Sequence, residues 1–255
     1  MRRVYLEKVD IDPESLREFY KKRAIDKVSI DIDAPVVLVG DKDKSKIEEW
    51  TKFEIEHRLS HLCLNSSSKV LEFGCGTGRI SKYITSIVDL YVGVDYVKEF
   101  IDLIQSREDI EKKDTTHFIH SSVQEYASGL DETLPKNKFD RFVISGGVFM
   151  YINDEEIKEI LDKLILNFEE NCIVYLSEPI ALNERLTLDK FYSKELKNEY
   201  SAIYRTEKEY NEILNILYKE GFELKLSEEF FHEDIKTQTE TKQWIFVLKR
   251  NRKQL

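Results

Sequence analysis

The chain has 255 residues, 41% hydrophobic and 35% charged, enough for one large domain or a domain plus a cap and too apolar for disorder. No apolar run approaches the ~20 residues of a membrane span. With 49 acids against 39 bases the formal charge is −10, which repels a phosphate backbone; neither a membrane nor a nucleic-acid partner is expected.

Met1-Arg2-Arg3-Val4-Tyr5 is basic but leads into no apolar segment, so no signal peptide is expected. Cys63, Cys75 and Cys172 form no C-x-x-C pair and are odd in number, which fits reduced thiols in a cytoplasm. Asp12 followed by Pro13 reads as an N-cap and first helical position. The spacing predicts a helix over residues 13–25 with Leu16, Phe19, Tyr20 and Arg23 in period. Residues 46–64 read as an amphipathic helix with Ile47, Trp50, Phe53, Leu59 and Leu62 largely on one side, stopped by Asn65 and three serines. His57 and His61 stand four apart, but Arg58 occupies the acid position of H-E-x-x-H, so no metal site is expected. Residues 1–64 are thus expected to form an N-terminal helical cap leaning over a domain of residues 65–255.

From Lys69 strands and helices alternate. Strands are predicted at 69–73, 90–95, 116–120, 139–145, 171–177, 222–231 and 241–248, the last two as a hairpin. Helices are predicted at 78–87, 97–107, 122–128, 154–167 and 206–219. The pattern implies an α/β fold, a Rossmann-like, seven-stranded, mostly parallel sheet with helices on both faces. Residues 180–205 interrupt it as an insertion after the fifth strand.

The first strand runs into Glu72-Phe73-Gly74-Cys75-Gly76-Thr77-Gly78. Glycines at that spacing turn the backbone sharply and let a ligand approach closely. A dinucleotide fingerprint, G-x-G-x-x-G, fails because Arg79 and Ser81 stand where its third glycine would fall, and no Walker loop is present. An acid at Glu72 disfavours a diphosphate and suits a cationic amine or sulfonium. Asp95, closing the second strand, is placed for a ribose diol.

These residues resemble the first motif, (E/D)-x-G-x-G-x-G, of class I S-adenosylmethionine-dependent methyltransferases. The resemblance covers residues 69 to about 178. It implies a cofactor site made by Glu72, Gly74, Gly76, Gly78 and Asp95, with Tyr96 against the adenine. Phe118-Ile119-His120-Ser121-Ser122-Val123 aligns with the adenine-binding region, but the usual acid is replaced by Ser122, leaving a hydroxyl and the Val123 amide as partners. The run from Lys138 to Tyr151 resembles the fourth motif, which places Ser145 and Gly146 beside the methionine part and Tyr151 at the substrate edge. It carries neither metal-binding acids nor N/D-P-P-Y.

Tyr20 and Arg23, one turn apart, are expected to close over the cofactor. Glu178, at the carboxyl end of the fifth strand, is a candidate for positioning or deprotonating the substrate. His232 could act as a base if its loop turns inward. Arg185, Tyr192, Tyr200, Tyr204 and Arg205 combine forks and rings that suit polar rings, sugars and anionic groups, and form the expected substrate-binding set. The expected activity is methyl transfer to a small molecule, a sugar or glycan-precursor hydroxyl or amine being one candidate. A protein methyltransferase and a non-catalytic S-adenosylmethionine-binding module are the alternatives. A homodimer is compatible with this reading.

Overall fold

The computed structural model describes residues 2–28, 44–129, 138–193, 198–231 and 240–250. It contains a seven-stranded and a three-stranded sheet. The central strands are β2 (Lys69–Phe73), β3 (Leu90–Asp95), β4 (Thr116–His120), β5 (Phe139–Ser145) and β6 (Phe168–Ala181), with β9 (Phe222–Glu229) and β10 (Thr241–Arg250) completing the order β4-β3-β2-β5-β6-β10-β9. Strands β2 to β6 are mutually parallel, and β10 runs antiparallel to both its neighbours. Buried apolar runs such as Val70-Leu71 and Val92 to Val94 mark strands covered on both faces.

One face is covered by α5 (Val123–Ser128), α6 (Asp154–Ile165) and α7 (Glu207–Lys219), whose buried residues join Phe73, Phe142 and Phe246 in the largest core cluster. The other is covered by α3 (Ser81–Ile84) and by the segment leading into β2, through Leu59, Leu62, Ile80 and Ile84. The predicted 78–87 helix is thus only four residues of α-helix, flanked by turns. Helix α4 (Lys98–Ser106) packs Ile101 and Ile104 against Cys75.

The N-terminal cap is not a helical unit of its own. Strand β1 (Arg2–Tyr5) pairs antiparallel with β7 (Leu186–Ser193), which pairs with β8 (Asn198–Tyr204). The insertion is therefore a β-ribbon that takes the chain's first strand as its third member. Helix α1 (Pro13–Val28) begins as expected, the Glu14 amide donating to Asp12 Oδ1 at 3.1 Å. Its Phe19 and Tyr20 pack with Leu186, Leu188, Tyr200 and Ala202. Asn153, the N-cap of α6, exchanges hydrogen bonds with the backbone of Ile11. Residues 2–28 and the insertion thus close one end of the central sheet together.

The second predicted cap helix is broken. After α2 (Lys44–Phe53) the chain makes a π-turn at Glu54–Arg58 and a 3₁₀ turn at Leu59–Leu62. The π-turn buries the charged side chains of Glu54 and Arg58, and Arg58 is tied to Glu228 and to the carbonyls of Glu229 and Phe230 on the sheet edge. Single π-turns of this kind recur at functional sites.

Candidate functional site

The carboxyl ends of β2, β3 and β5 meet at one edge, where the glycine loop leaves β2. Gly74, Gly76 and Gly78 all adopt positive φ, as do Gly146 and Gly147 after β5. Two of the loop glycines are required by packing: a Cβ on Gly74 would lie 2.4 Å from Val148 Cγ2, and one on Gly78 would lie 2.6 Å from Ile110 Cδ1. Gly76 and Gly146 differ. Beside Gly76 the nearest atom is the Gly74 carbonyl oxygen at 4.0 Å, and beside Gly146 there is none within 4 Å. A side chain at either would meet open space.

Asp95 ties the β3 end to the glycine loop. Its Oδ2 accepts from the Gly76 amide and its Oδ1 from the Val97 amide, both at 2.9 Å. Each oxygen keeps a further lone pair for a ligand hydroxyl. Burial pushes this carboxyl up to about 6, against the opposing pull of those two amides. Ser122 caps α5, donating to Glu125 Oε2 at 2.8 Å and accepting from the Glu125 amide at 3.1 Å. The Val123 amide is in the first helical turn, where N–H groups lack an intrahelical acceptor. Gly76, Asp95 and the Val123 amide thus keep the polar groups and the open side that the sequence assigns to an adenosine.

Glu72 does not face that cradle. It is 2% exposed, and its Oε2 accepts from Ser81 Oγ at 3.2 Å and from the Tyr91 hydroxyl. Burial raises its carboxyl to about 7 despite those two donors. The expectation of a direct contact with a cationic ligand is corrected: Glu72 braces the loop from beneath. A different acid, Glu54 from the π-turn, reaches the end of β5. Its Oε2 accepts from Arg79 at 2.8 Å and its Oε1 from Ser145 Oγ at 2.5 Å. Sequence reasoning missed Glu54 and Arg79. The available signal was the spacing of Ile47, Thr51, Glu54 and Arg58, which puts three polar groups in buried helical register.

The candidate base at Glu178 is also corrected. It is fully buried, and its Oε1 accepts from the amides of Val148 and Phe149 at 2.8 Å each. Its Oε2 accepts from the Met150 amide and the Tyr210 hydroxyl at 3.2 Å each. Burial raises its carboxyl, opposed by those amides, and no lone pair is left for a substrate proton. Arg205, expected on the substrate, is 0% exposed and donates to the carbonyls of Phe149 and Ile152 at 2.7 and 2.6 Å and to Asp154 at 2.8 Å. Arg185 is buried against the same Asp154 at 2.9 Å and against Glu209 at 3.1 Å. Burial would raise the Asp154 carboxyl, but the two arginines outweigh it and hold it well below the usual range. Both guanidiniums are structural, so an anionic or sugar-phosphate acceptor loses the cations proposed for it. Tyr192 is 45% exposed on β7 and is not among the residues packed around Tyr200. His232 lies outside the described residues, as does the side chain of Arg23 on α1.

The remaining expected residues do come together. Tyr20 from α1, Tyr96 after β3, Tyr151 after β5, and Tyr200 and Tyr204 from β8 form one cluster. The Tyr151 and Tyr200 hydroxyls are 3.0 Å apart, and those of Tyr200 and Tyr204 are 3.4 Å apart. Tyr20 stands edge-on to Tyr96 and Tyr151, with centroids 6.1 and 5.3 Å away. The Tyr96 hydroxyl is buried without a hydrogen bond in range, a state that costs about 1–3 kcal/mol, whereas that of Tyr20 lies against Tyr151. Burial pushes the Tyr151 phenol well up.

Residues 70–166 match the family model described as a methyltransferase domain. The match takes in 97 of the 255 residues, and what it marks is a stretch similar to a methyltransferase domain. No curated protein matches the chain. Among solved structures, the magnesium protoporphyrin IX methyltransferase of Synechocystis PCC 6803 with bound S-adenosylmethionine is 15% identical, covering 96% of this chain and 100% of that one at a TM-score of 0.56. A methyltransferase from Leishmania major is 18% identical over 93% of this chain and 85% of that one at 0.61. The DhpI complex with S-adenosylhomocysteine is 13% identical over 94% and 97% at 0.59. At these identities the likeness is one of fold. The Synechocystis protein is solved with S-adenosylmethionine bound and DhpI with S-adenosylhomocysteine.

Proposed function

We propose that this protein is an S-adenosylmethionine-dependent methyltransferase acting on a small molecule held beneath the tyrosine cluster. The observation that carries the reading is the placement of Tyr20, Tyr96, Tyr151, Tyr200 and Tyr204 over the carboxyl ends of β3 and β5, where open α/β sheets bind ligands. The insertion is folded against β1 and α1 rather than left as an open groove, which favours a compact acceptor over a peptide.

S-adenosylmethionine supplies an electrophilic methyl on a good leaving group, so the protein's task is alignment and exclusion of water. Asp95 and the Val123 amide hold the nucleoside, Gly76 and Gly146 leave room for it, and Glu54 holds Arg79 and Ser145 at the end of β5. Phe19 and Tyr20 from α1, with Tyr200 and Ala202 from β8, cover the site with apolar surface.

The test is transfer of an isotopically labelled methyl group in a mixture of small metabolites and proteins. Label in the small-molecule fraction is the expected result. Label confined to protein favours a protein methyltransferase, and tight cofactor binding with no transfer favours a binding module.

A further inference from the structure

Glu54 and Arg79 make a buried pair of opposite charges at the end of β5, with side chains 4% and 16% exposed. Removing such a pair from water costs about as much as its attraction returns, so its presence points away from a purely stabilising role. Glu54 stands in the π-turn that follows α2. Neither group is used up. Oε1 of Glu54 accepts from the hydroxyls of Ser145 at 2.5 Å and Tyr175 at 3.4 Å. Among the described residues Oε2 accepts only from Arg79, at 2.8 Å, which leaves it a lone pair. Arg79 donates from Nη1 to Thr51 Oγ1 at 3.2 Å and from Nη2 to Glu54 and Ser145, and its Nε–H has no acceptor among the described residues. Ser145 is followed by Gly146, beside which a side chain would meet no atom within 4 Å. The neighbouring charges are committed elsewhere. Glu72 takes Ser81 and Tyr91, Arg58 holds Glu228 and the Phe230 carbonyl, and Arg107 holds Asp109 and the Thr77 carbonyl.

Resting on the methyltransferase reading above, we propose that this pair is the site for the zwitterionic amino-acid end of the cofactor. Arg79 donates to the carboxylate, and Glu54 accepts from the ammonium. Two opposite charges held side by side match a ligand group that itself carries both, and each keeps its counter-charge while the site is empty. Thr51 and Ser145 are positioning residues: they fix the guanidinium and the carboxylate and touch no ligand themselves. The arrangement also accounts for Glu72, whose carboxylate is spent beneath the glycine loop and leaves the ammonium to another acid. Asp95 ends β3, the glycine loop leaves β2, and the pair stands at β5, so the two anchors lie on opposite sides of the loop. The sulfur joins the two halves of the ligand, and anchoring both ends fixes the direction in which its methyl group points.

The test is calorimetry on the full chain with three ligands. S-adenosylhomocysteine carries the whole amino-acid end, its decarboxylated form keeps only the amine, and methylthioadenosine has neither. On the wild-type chain S-adenosylhomocysteine should bind at least about thirtyfold more tightly than methylthioadenosine, with the decarboxylated form between them. Arg79→Met should weaken S-adenosylhomocysteine about tenfold and leave the other two within about twofold. Glu54→Gln should weaken both amine-bearing ligands about fivefold and leave methylthioadenosine within about twofold. Unchanged methylthioadenosine binding shows that the variant is folded. Should either variant fail to fold, Thr51→Val, which keeps both charges and frees one edge of the guanidinium, should weaken S-adenosylhomocysteine about threefold and spare methylthioadenosine. Equal losses for all three ligands would make the pair a brace and overturn the assignment, as would unchanged S-adenosylhomocysteine binding in these variants. Equal wild-type affinities for S-adenosylhomocysteine and methylthioadenosine would also overturn it and leave the adenosine site intact. A wild-type chain that binds neither overturns the cofactor reading as well.

Discussion

Glu178 and Arg205 grip opposite polar edges of one turn. Glu178 takes the amides of Val148, Phe149 and Met150, and Arg205 donates to the carbonyls of Phe149 and Ile152. Neither side chain is exposed. Between them they fix the 3₁₀ turn Phe149–Tyr151, and with it the position of Tyr151 over the end of β5.

Breaking that clamp should therefore act on stability first. Glu178→Ala leaves three amides and the Tyr210 hydroxyl without their acceptor, and Arg205→Ala leaves Asp154 with one buried arginine fewer. Each should cost about 3–5 kcal/mol in urea denaturation. A loss under about 1 kcal/mol in both would show that the turn holds itself.

Asp95 governs a pH dependence of cofactor binding. Its carboxyl, raised by burial to about 6, is ionised above that pH, where on the proposed reading it accepts from both ribose hydroxyls; below it, one oxygen becomes a donor. S-adenosylmethionine affinity measured by calorimetry should be level above pH 7 and fall about tenfold by pH 5. Asp95→Asn should bind about tenfold more weakly, with no slope across that range. A wild-type affinity that is flat from pH 5 to 8 would remove Asp95 from the ribose site.

Glu72 should shape the pH profile of stability instead. Its carboxyl is raised from the ordinary 4.5 to about 7, chiefly by burial. Between those pH values the folded chain holds a proton that the unfolded chain has lost, so this group's contribution to stability falls as pH rises through the window and is lowest above 7. Glu72→Gln keeps an oxygen for Tyr91 and Ser81 without the buried charge. It should be neutral at pH 4 and stabilise by up to about 3 kcal/mol at pH 8 in chemical denaturation. Equal effects at both pH values would show that the carboxyl is not titrating.

Gly74 tests why the loop needs glycine. Gly74→Ala meets Val148 Cγ2 and must also hold φ at +69°. The single change should destabilise by about 2–4 kcal/mol, and adding Val148→Ala should recover only the steric share, leaving about 1–2 kcal/mol of backbone strain. Full recovery in the double variant would mean that conformation plays no part.

The seven central strands were legible because each is a short apolar run bounded by turn residues, a pattern that depends on neighbours in sequence. Predicted and observed limits coincide for β2, β3, β4 and β5. Strand β6 runs further than its apolar stretch because β10 supplies partners as far as Ala181. The glycine loop and Asp95 were legible for a similar reason: a tight turn constrains adjacent residues.

The sequence by itself determined the doubly covered sheet and the turns of the glycine loop, since periodicity and glycine spacing are local properties. Tertiary structure alone decided how the charged and aromatic residues are used. Arg185, Arg205 and Glu178 read as site residues by composition, yet their partners at Asp154 and on the 148–152 turn lie 28 to 56 positions away and bury them as scaffold. Strand β1 finds β7 across almost the whole chain, and that pairing closes the ribbon against α1 and brings five tyrosines together. Whether a guanidinium or a phenol meets a ligand depends on what else reaches it in space, and that is a property of the folded chain.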